Sequence, residues 1–357
     1  MTTALNDPQY IEMRDRHMAR LSAIFGARSV DKAVDQPANR RDDQPAGGPK
    51  GRPRDQLFIL NGIYGSGQAD PYTEPELWVN QALESLVSKV DLLRDQVTFR
   101  PLAVEYGPYG VHFIDRILGA EVYVDETSRQ WYNRYCEHEV GELAHPDLDS
   151  DSTWRLAKRA ALEFVRSGAK LPYFGLPTLS SALNTAVNIY GEQILVAMYE
   201  RPEAARRDLQ IITDLICELH AWYRANIPFS QLQPVVAAHR TQPPGFGQIC
   251  GCTTQLVSPS VYRDMIAPLD DQVLSVYPNG GMIHLCGSHT QHIPVWRDMK
   301  SLRAVQLNDR AALDLEAYFH GLRDDQIIYA NLFDGMPLEK VLEITGGERV
   351  VIVGDVK

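Results

Sequence analysis

Residues 281–309 read GMIHLCGSHTQHIPVWRDMKSLRAVQLND. Met282 to Leu285 and Arg303 to Leu307 are short apolar runs, and residues 290 to 300 between them have helical character. The stretch is therefore predicted as strand, helix, strand, which is one βα unit of a parallel sheet. The pattern continues to the C-terminus. Leu313 to Leu322 reads as a helix, Gln326 to Asn331 as a strand, Leu338 to Thr345 as a helix and Arg349 to Val353 as a last strand. Upstream, Ser258 is a good N-cap with Pro259 at the first helical position, so a helix is expected from there to about Tyr277.

The same alternation extends toward the N-terminus. Strands are expected at Gln56 to Leu60, Thr98 to Val104, Leu171 to Phe174, Pro234 to His239 and Gly247 to Cys250. Helices are expected at Glu74 to Leu93, Ser152 to Ser167, Leu179 to Tyr190 and Pro202 to Asn226. Residues 8 to 25 form a further helix, with Ile11, Met18, Leu21 and Ile24 on one face. The expected fold is an α/β (β/α)8 TIM-type barrel with an N-terminal helical extension, and an open doubly wound sheet is second. The division is a helix in residues 1–27, a flexible polar segment in 28–55 and the barrel in 56–357. No Gly-x-Gly-x-x-Gly turn leads from a strand into a helix; the nearest run, Gly62 to Gly67, leads into Asp70-Pro71.

The chain has 357 residues, 44% of them hydrophobic and 23% charged, the composition of a globular protein with a large core. Its net charge of -11 argues against nucleic acid as a partner. No apolar run suits a membrane span and no signal peptide is visible, so no membrane partner and a cytoplasmic location are expected. The five cysteines are Cys136, Cys217, Cys250, Cys252 and Cys286, an odd number that favours reduced thiols.

In a parallel barrel the active site lies at the C-terminal ends of the strands. His284 and Cys286 are two apart on one strand and point to one side. Cys250 and Cys252 have the same spacing at the end of the preceding strand. All four are good zinc ligands and form the expected metal site, although buried cysteine also serves as an ordinary small hydrophobe. His239 and Arg240 end another expected strand; Arg240 suits a carboxylate clamp and His239 or Tyr106 an acid. Asn308 and Asn331 are candidate cofactor or substrate contacts. Asp309 is expected to cap a helix, and His289 and His292 are expected on a helix facing solvent. No Gly-x-Ser-x-Gly, His-Glu-x-x-His or P-loop pattern is present.

Three runs resemble the uroporphyrinogen decarboxylase superfamily: GGMIHLCG at 280–287, SPSVYRDMIAPLDDQV at 258–273 and YGEQILVAMYERPEAARRDLQIITDLI at 190–216. LRAVQLND and IIYANL are similar to its later strands. The resemblance covers roughly residues 56–355. It implies a (β/α)8 barrel and two chemistries. The decarboxylase branch carries an arginine-rich run near its N-terminus, whereas this chain has FILNGIYGSG there, with no arginine between Asp55 and Arg94. The corrinoid-linked methyltransferase branch carries a His-x-Cys zinc motif, matched by His284 and Cys286, and a later cysteine, which this chain lacks after Cys286. The expected function is zinc-assisted methyl transfer to or from a corrinoid protein or a folate, with Cys252 or Cys250 completing the metal site. The alternative is a cofactor-independent decarboxylase. Expected partners are a small-molecule substrate and, from the resemblance, a corrinoid protein; a homodimer is allowed.

Overall fold

The computed structural model describes residues 3–26, 57–234 and 237–356. The segment expected to be flexible, 28–55, falls wholly outside the described residues, as do Val235 and Val236. The strands are β1 (Ile59–Leu60), β2 (Ile63–Tyr64), β3 (Thr98–Phe99), β4 (Leu102–Glu105), β5 (Val122–Val124), β6 (Trp131–Asn133) and β7 (Tyr173–Gly175). They continue with β8 (Leu232–Gln233), β9 (Gly247–Cys250), β10 (Gly281–Cys286), β11 (Leu302–Asn308), β12 (Ile327–Asn331) and β13 (Val350–Val353).

The architecture is α/β with parallel central strands. One sheet runs β3-β1-β13-β12-β11-β10-β9 and a second runs β2-β4-β7-β8; β5 and β6 form an antiparallel hairpin. The two parallel sheets are continuous with each other. Asn61 N–H donates to Phe99 O (3.0 Å) and Ile63 N–H to Pro101 O (2.8 Å), so β1–β2 and β3–β4 act as two interrupted strands lying side by side. Read this way, parallel neighbours run from β8 around to β9, one position more than the eight expected.

Among the described residues no ladder joins β8 to β9. Side-chain amides span that seam instead. Gln233 Nε2 donates to Gln242 O (2.8 Å), Gln242 N–H donates to Gln233 Oε1 (2.9 Å), and Gln242 Nε2 donates to Gly247 O on β9 (2.9 Å).

The strands β10 to β13 are buried almost throughout, as expected of a parallel sheet covered by helices. The N-terminal helix Pro8–Ile24 begins at Asp7, whose side chain accepts from Gln9 N–H. Arg14 is buried and donates to the carbonyls of Lys170 and Leu171, which ties the helix to the segment before β7.

Two local expectations are corrected. The strand expected at Pro234–His239 is not found among the described residues: β8 ends at Gln233 and Ala237–Arg240 is a helical turn. Proline cannot donate to a ladder, and an alanine pair favours helix. The helix from Ser258 is capped as expected, with Val261 N–H donating to Ser258 Oγ at 3.3 Å, but it contains a π turn at Tyr262–Ile266 and ends at Leu274. Pro268 lies just past that turn, where it removes a helical donor and crowds the preceding turn.

Candidate metal centre

The parallel register of β9, β10 and β11 builds the centre. Cys250 lies beside His284, His284 beside Gln306, and Cys286 beside Asn308. Registered neighbours in a sheet project to the same side, so the sulfur and nitrogen ligands and the amides share one face. After β9 the chain turns at Gly251 into a 3-10 turn, Cys252–Leu256, which brings Cys252 back over the strand end. The Cys250 and Cys252 sulfurs are 3.6 Å apart. Gly251 lets the turn pack closely here, since a Cβ there would sit 2.5 Å from Ile283 Cδ1 and push that side chain aside. Gly287, with φ +85°, turns the chain after Cys286.

Ligand atoms of Cys250, Cys252 and His284 all lie within 4.8 Å of one another. Tetrahedral zinc, with Zn–S near 2.3 Å and Zn–N near 2.0 Å, holds its sulfurs about 3.8 Å apart and a sulfur and nitrogen about 3.5 Å apart. The 3.6 Å between the Cys250 and Cys252 sulfurs fits that demand, and His284 lies within 4.8 Å of both. Cys286 Sγ is 3.1 Å from His284 Nε2, so a third thiol adjoins the same imidazole.

His284 is oriented for ligation. Its Nδ1 donates to Gln306 Oε1 (2.8 Å), which leaves Nε2 as the lone-pair nitrogen facing the sulfurs. Gln306 Nε2 donates to Asn331 Oδ1 (3.0 Å), and Asn331 Nδ2 donates to Asn308 Oδ1 (3.0 Å). Asn308 Nδ2 in turn faces Cys286 Sγ (3.7 Å) and donates to Asp309 Oδ2 (3.0 Å). The hydrogen bonds run in one sense from imidazole through three amides to thiol, and the Cys286–His284 contact closes the ring. Each amide orientation is set by its neighbour.

The thiols do not ionise alike. A hydrogen bond from Cys252 pushes Cys250 well below the usual thiol range against the cost of burial, with electrostatic help from the nearby His284 and Arg240 side chains. Cys286 is pushed down by Cys252 first, then by His284 and Asn308. Cys252, hydrogen-bonded to both, is pushed up. The arrangement can therefore present two thiolates beside an imidazole nitrogen, a soft ligand set that suits zinc.

The structure thus brings together His284, Cys286, Cys252, Cys250, Asn308 and Asn331. Arg240 adjoins them: its charge reaches Cys250, and its Nε is buried with no hydrogen-bond partner among the described residues. His239 Nδ1 pairs with the Tyr64 hydroxyl (3.2 Å). Tyr106 lies apart, its ring against Trp78 and its hydroxyl donating to the Pro71 carbonyl.

Three expectations are overturned. His289 and His292 are fully buried rather than facing solvent, because Tyr262 and Trp296 pack around them. Asp309 caps no helix with its side chain; it has φ +47° and accepts from Asn308. Gln306 orients His284, a role that needed the β10–β11 register to see, although its place at a strand end was visible in the sequence.

Among the described residues no helix is long and apolar enough to cross a membrane. No protein-family model matches the sequence, and no curated protein matches it. Among solved structures the chain is similar to a methyltransferase from Methanosarcina mazei, with a TM-score of 0.58 and 12% identity over 95% of this chain and 92% of that one. At that identity the likeness is one of fold, spanning nearly the whole of both chains.

Proposed function

We propose that this protein is an enzyme of the uroporphyrinogen decarboxylase superfamily, with a barrel-type fold interrupted at the β8–β9 seam. Its proposed reaction is zinc-assisted methyl transfer to or from a corrinoid protein or a folate. The observation that carries the reading is the convergence of Cys250, Cys252 and His284 within 4.8 Å at the C-terminal ends of parallel strands. The resemblance of the fold to a methyltransferase supports it. Zinc bound there would supply Lewis-acid activation of a thiol or other heteroatom. Cys250, Cys252 and His284 would hold the ion, with Cys286 within reach of the same nitrogen. Gln306 keeps His284 in the ligating tautomer, and Asn308 and Asn331 fix Gln306.

Metal analysis of freshly purified protein, repeated on Cys286→Ser and on Cys252→Ser, tests the reading. About one zinc per chain, lost in Cys252→Ser, is the expected result; no zinc in the unmutated protein sinks it.

The buried Arg240 Nε, without a hydrogen-bond partner among the described residues, favours a second reading, decarboxylation of a carboxylated substrate with Arg240 as clamp. Under that reading chelators leave turnover intact and Arg240→Ala raises KM.

A further inference from the structure

The ladder between β9 and β10 stops short of the thiols that must meet. Its last bond is Gly251 N–H to His284 O (2.8 Å), and both Cys252 and Cys286 lie beyond it. Past that point, besides the thiol contact between Cys252 and Cys286, a pair of imidazoles joins the two segments. His289 Nε2 donates to the Cys286 carbonyl (2.7 Å), which can only accept. Its Nδ1 faces the Thr254 hydroxyl (2.9 Å), and that hydroxyl also meets Gly251 O (2.8 Å). His292 Nε2 donates to Thr254 O (2.9 Å). Both rings are fully buried against Trp296, with centroids 6.2 Å and 5.6 Å from it.

We propose that His289 is a positioning residue for the thiol centre. By bridging the Cys286 carbonyl and Thr254, it fixes the spacing between the turn that carries Cys252 and the strand end that carries Cys286. It touches no ligand atom and acts through the backbone of both segments. The inference deepens the metal reading above and rests on it for function, but the geometric claim does not need a metal.

The test uses the full-length protein. In a Cys250→Ser background, dibromobimane bridges Cys252 to Cys286 in metal-free protein, with the bridged pair located by peptide mapping. Adding His289→Ala lowers the bridging yield about 10-fold or more, since small displacements of reacting groups are costly. Thr254→Val, which keeps the shape and removes the hydroxyl, lowers it in the same direction and decides the matter if His289→Ala does not fold. His289→Gln keeps a donor for the Cys286 carbonyl and restores most of the yield. With Cys250 intact, His289→Ala weakens zinc about 10- to 100-fold in chelator competition. It also reduces the thiolate-to-metal charge-transfer intensity of the cobalt-substituted protein, and His289→Gln recovers it. Unchanged bridging in both His289→Ala and Thr254→Val overturns the proposal. Absence of zinc from the unmutated protein overturns the proposed function instead, and the bridging result still decides the role of His289.

Discussion

The strand ends of β9 to β12 and the helical layer behind them both bury polar groups, with opposite results. In the helical layer burial favours the neutral form of several groups. Asp270, fully buried, accepts from the Tyr262 hydroxyl (2.8 Å), which in turn accepts from Trp296 Nε1 (2.7 Å); burial still raises the Asp270 carboxyl to about 7. Burial lowers His292 and raises the Cys217 thiol to about 11. At the strand ends, hydrogen bonds between the thiols, the imidazole and the amides outweigh the same cost, and Cys250 and Cys286 move the other way. Burial alone therefore does not mark a reactive site. The mark is a set of buried groups whose mutual hydrogen bonds favour the charged form and leave ligating lone pairs convergent.

The largest test of this contrast is removal of the ligands. Cys250→Ser with Cys252→Ser is expected to abolish zinc retention through dialysis, an effect well beyond the roughly 10- to 100-fold cost of losing an outer partner. Retained stoichiometric zinc would break the assignment.

The helical layer has its own test. Because the folded pKa of Asp270 lies above that of the unfolded chain, its contribution is best below about pH 4 and is lost as pH rises through about 7. Asp270→Asn should remove that loss, up to about 4 kcal/mol by pH 8, seen as a flatter dependence of urea stability on pH. A slope equal to that of the unmutated protein would contradict a neutral, buried Asp270.

Alkylation compares the two regions directly. In metal-free protein at neutral pH, iodoacetamide should modify Cys286 and Cys250 roughly 100-fold faster than Cys217, the lower nucleophilicity of acidic thiols taking back part of their advantage. Equal rates by mass spectrometry would erase the distinction.

The smallest expected effect is at Gln306. Gln306→Leu frees the His284 tautomer and leaves Asn331 without its donor, so zinc should weaken about 10-fold, read by competition with a chelator. A value within experimental error of the unmutated protein would reduce the amide ring to packing.

Much of this layout was legible from residue patterns. The alternation that placed β9 to β13 is a local property of short apolar runs and helical stretches, and the i, i+2 pairs at Cys250/Cys252 and His284/Cys286 could be read directly. Cys252 is the exception in detail, since it leaves the strand and reaches the site through a 3-10 turn rather than by strand alternation. The roles of Gln306 and His289 depend on register and on packing against Trp296, which no local pattern encodes. Two histidines after a glycine turn resemble a solvent-facing helix start until Tyr262, from another helix, is seen to cover His292. The seam was hidden because it is made by glutamine side chains rather than by strand periodicity.

That seam leaves β9 with one ladder among the described residues, and Cys250 stands at its end. An ion gripping Cys250 together with His284 would fasten this weakly held strand to its neighbour. Occupancy and folding would then draw on a shared free energy, worth about 4 kcal/mol when free metal exceeds Kd 1,000-fold. The candidate centre would be a structural clasp as well as a reactive one, and chelation would register as a lower melting temperature before any turnover was measured.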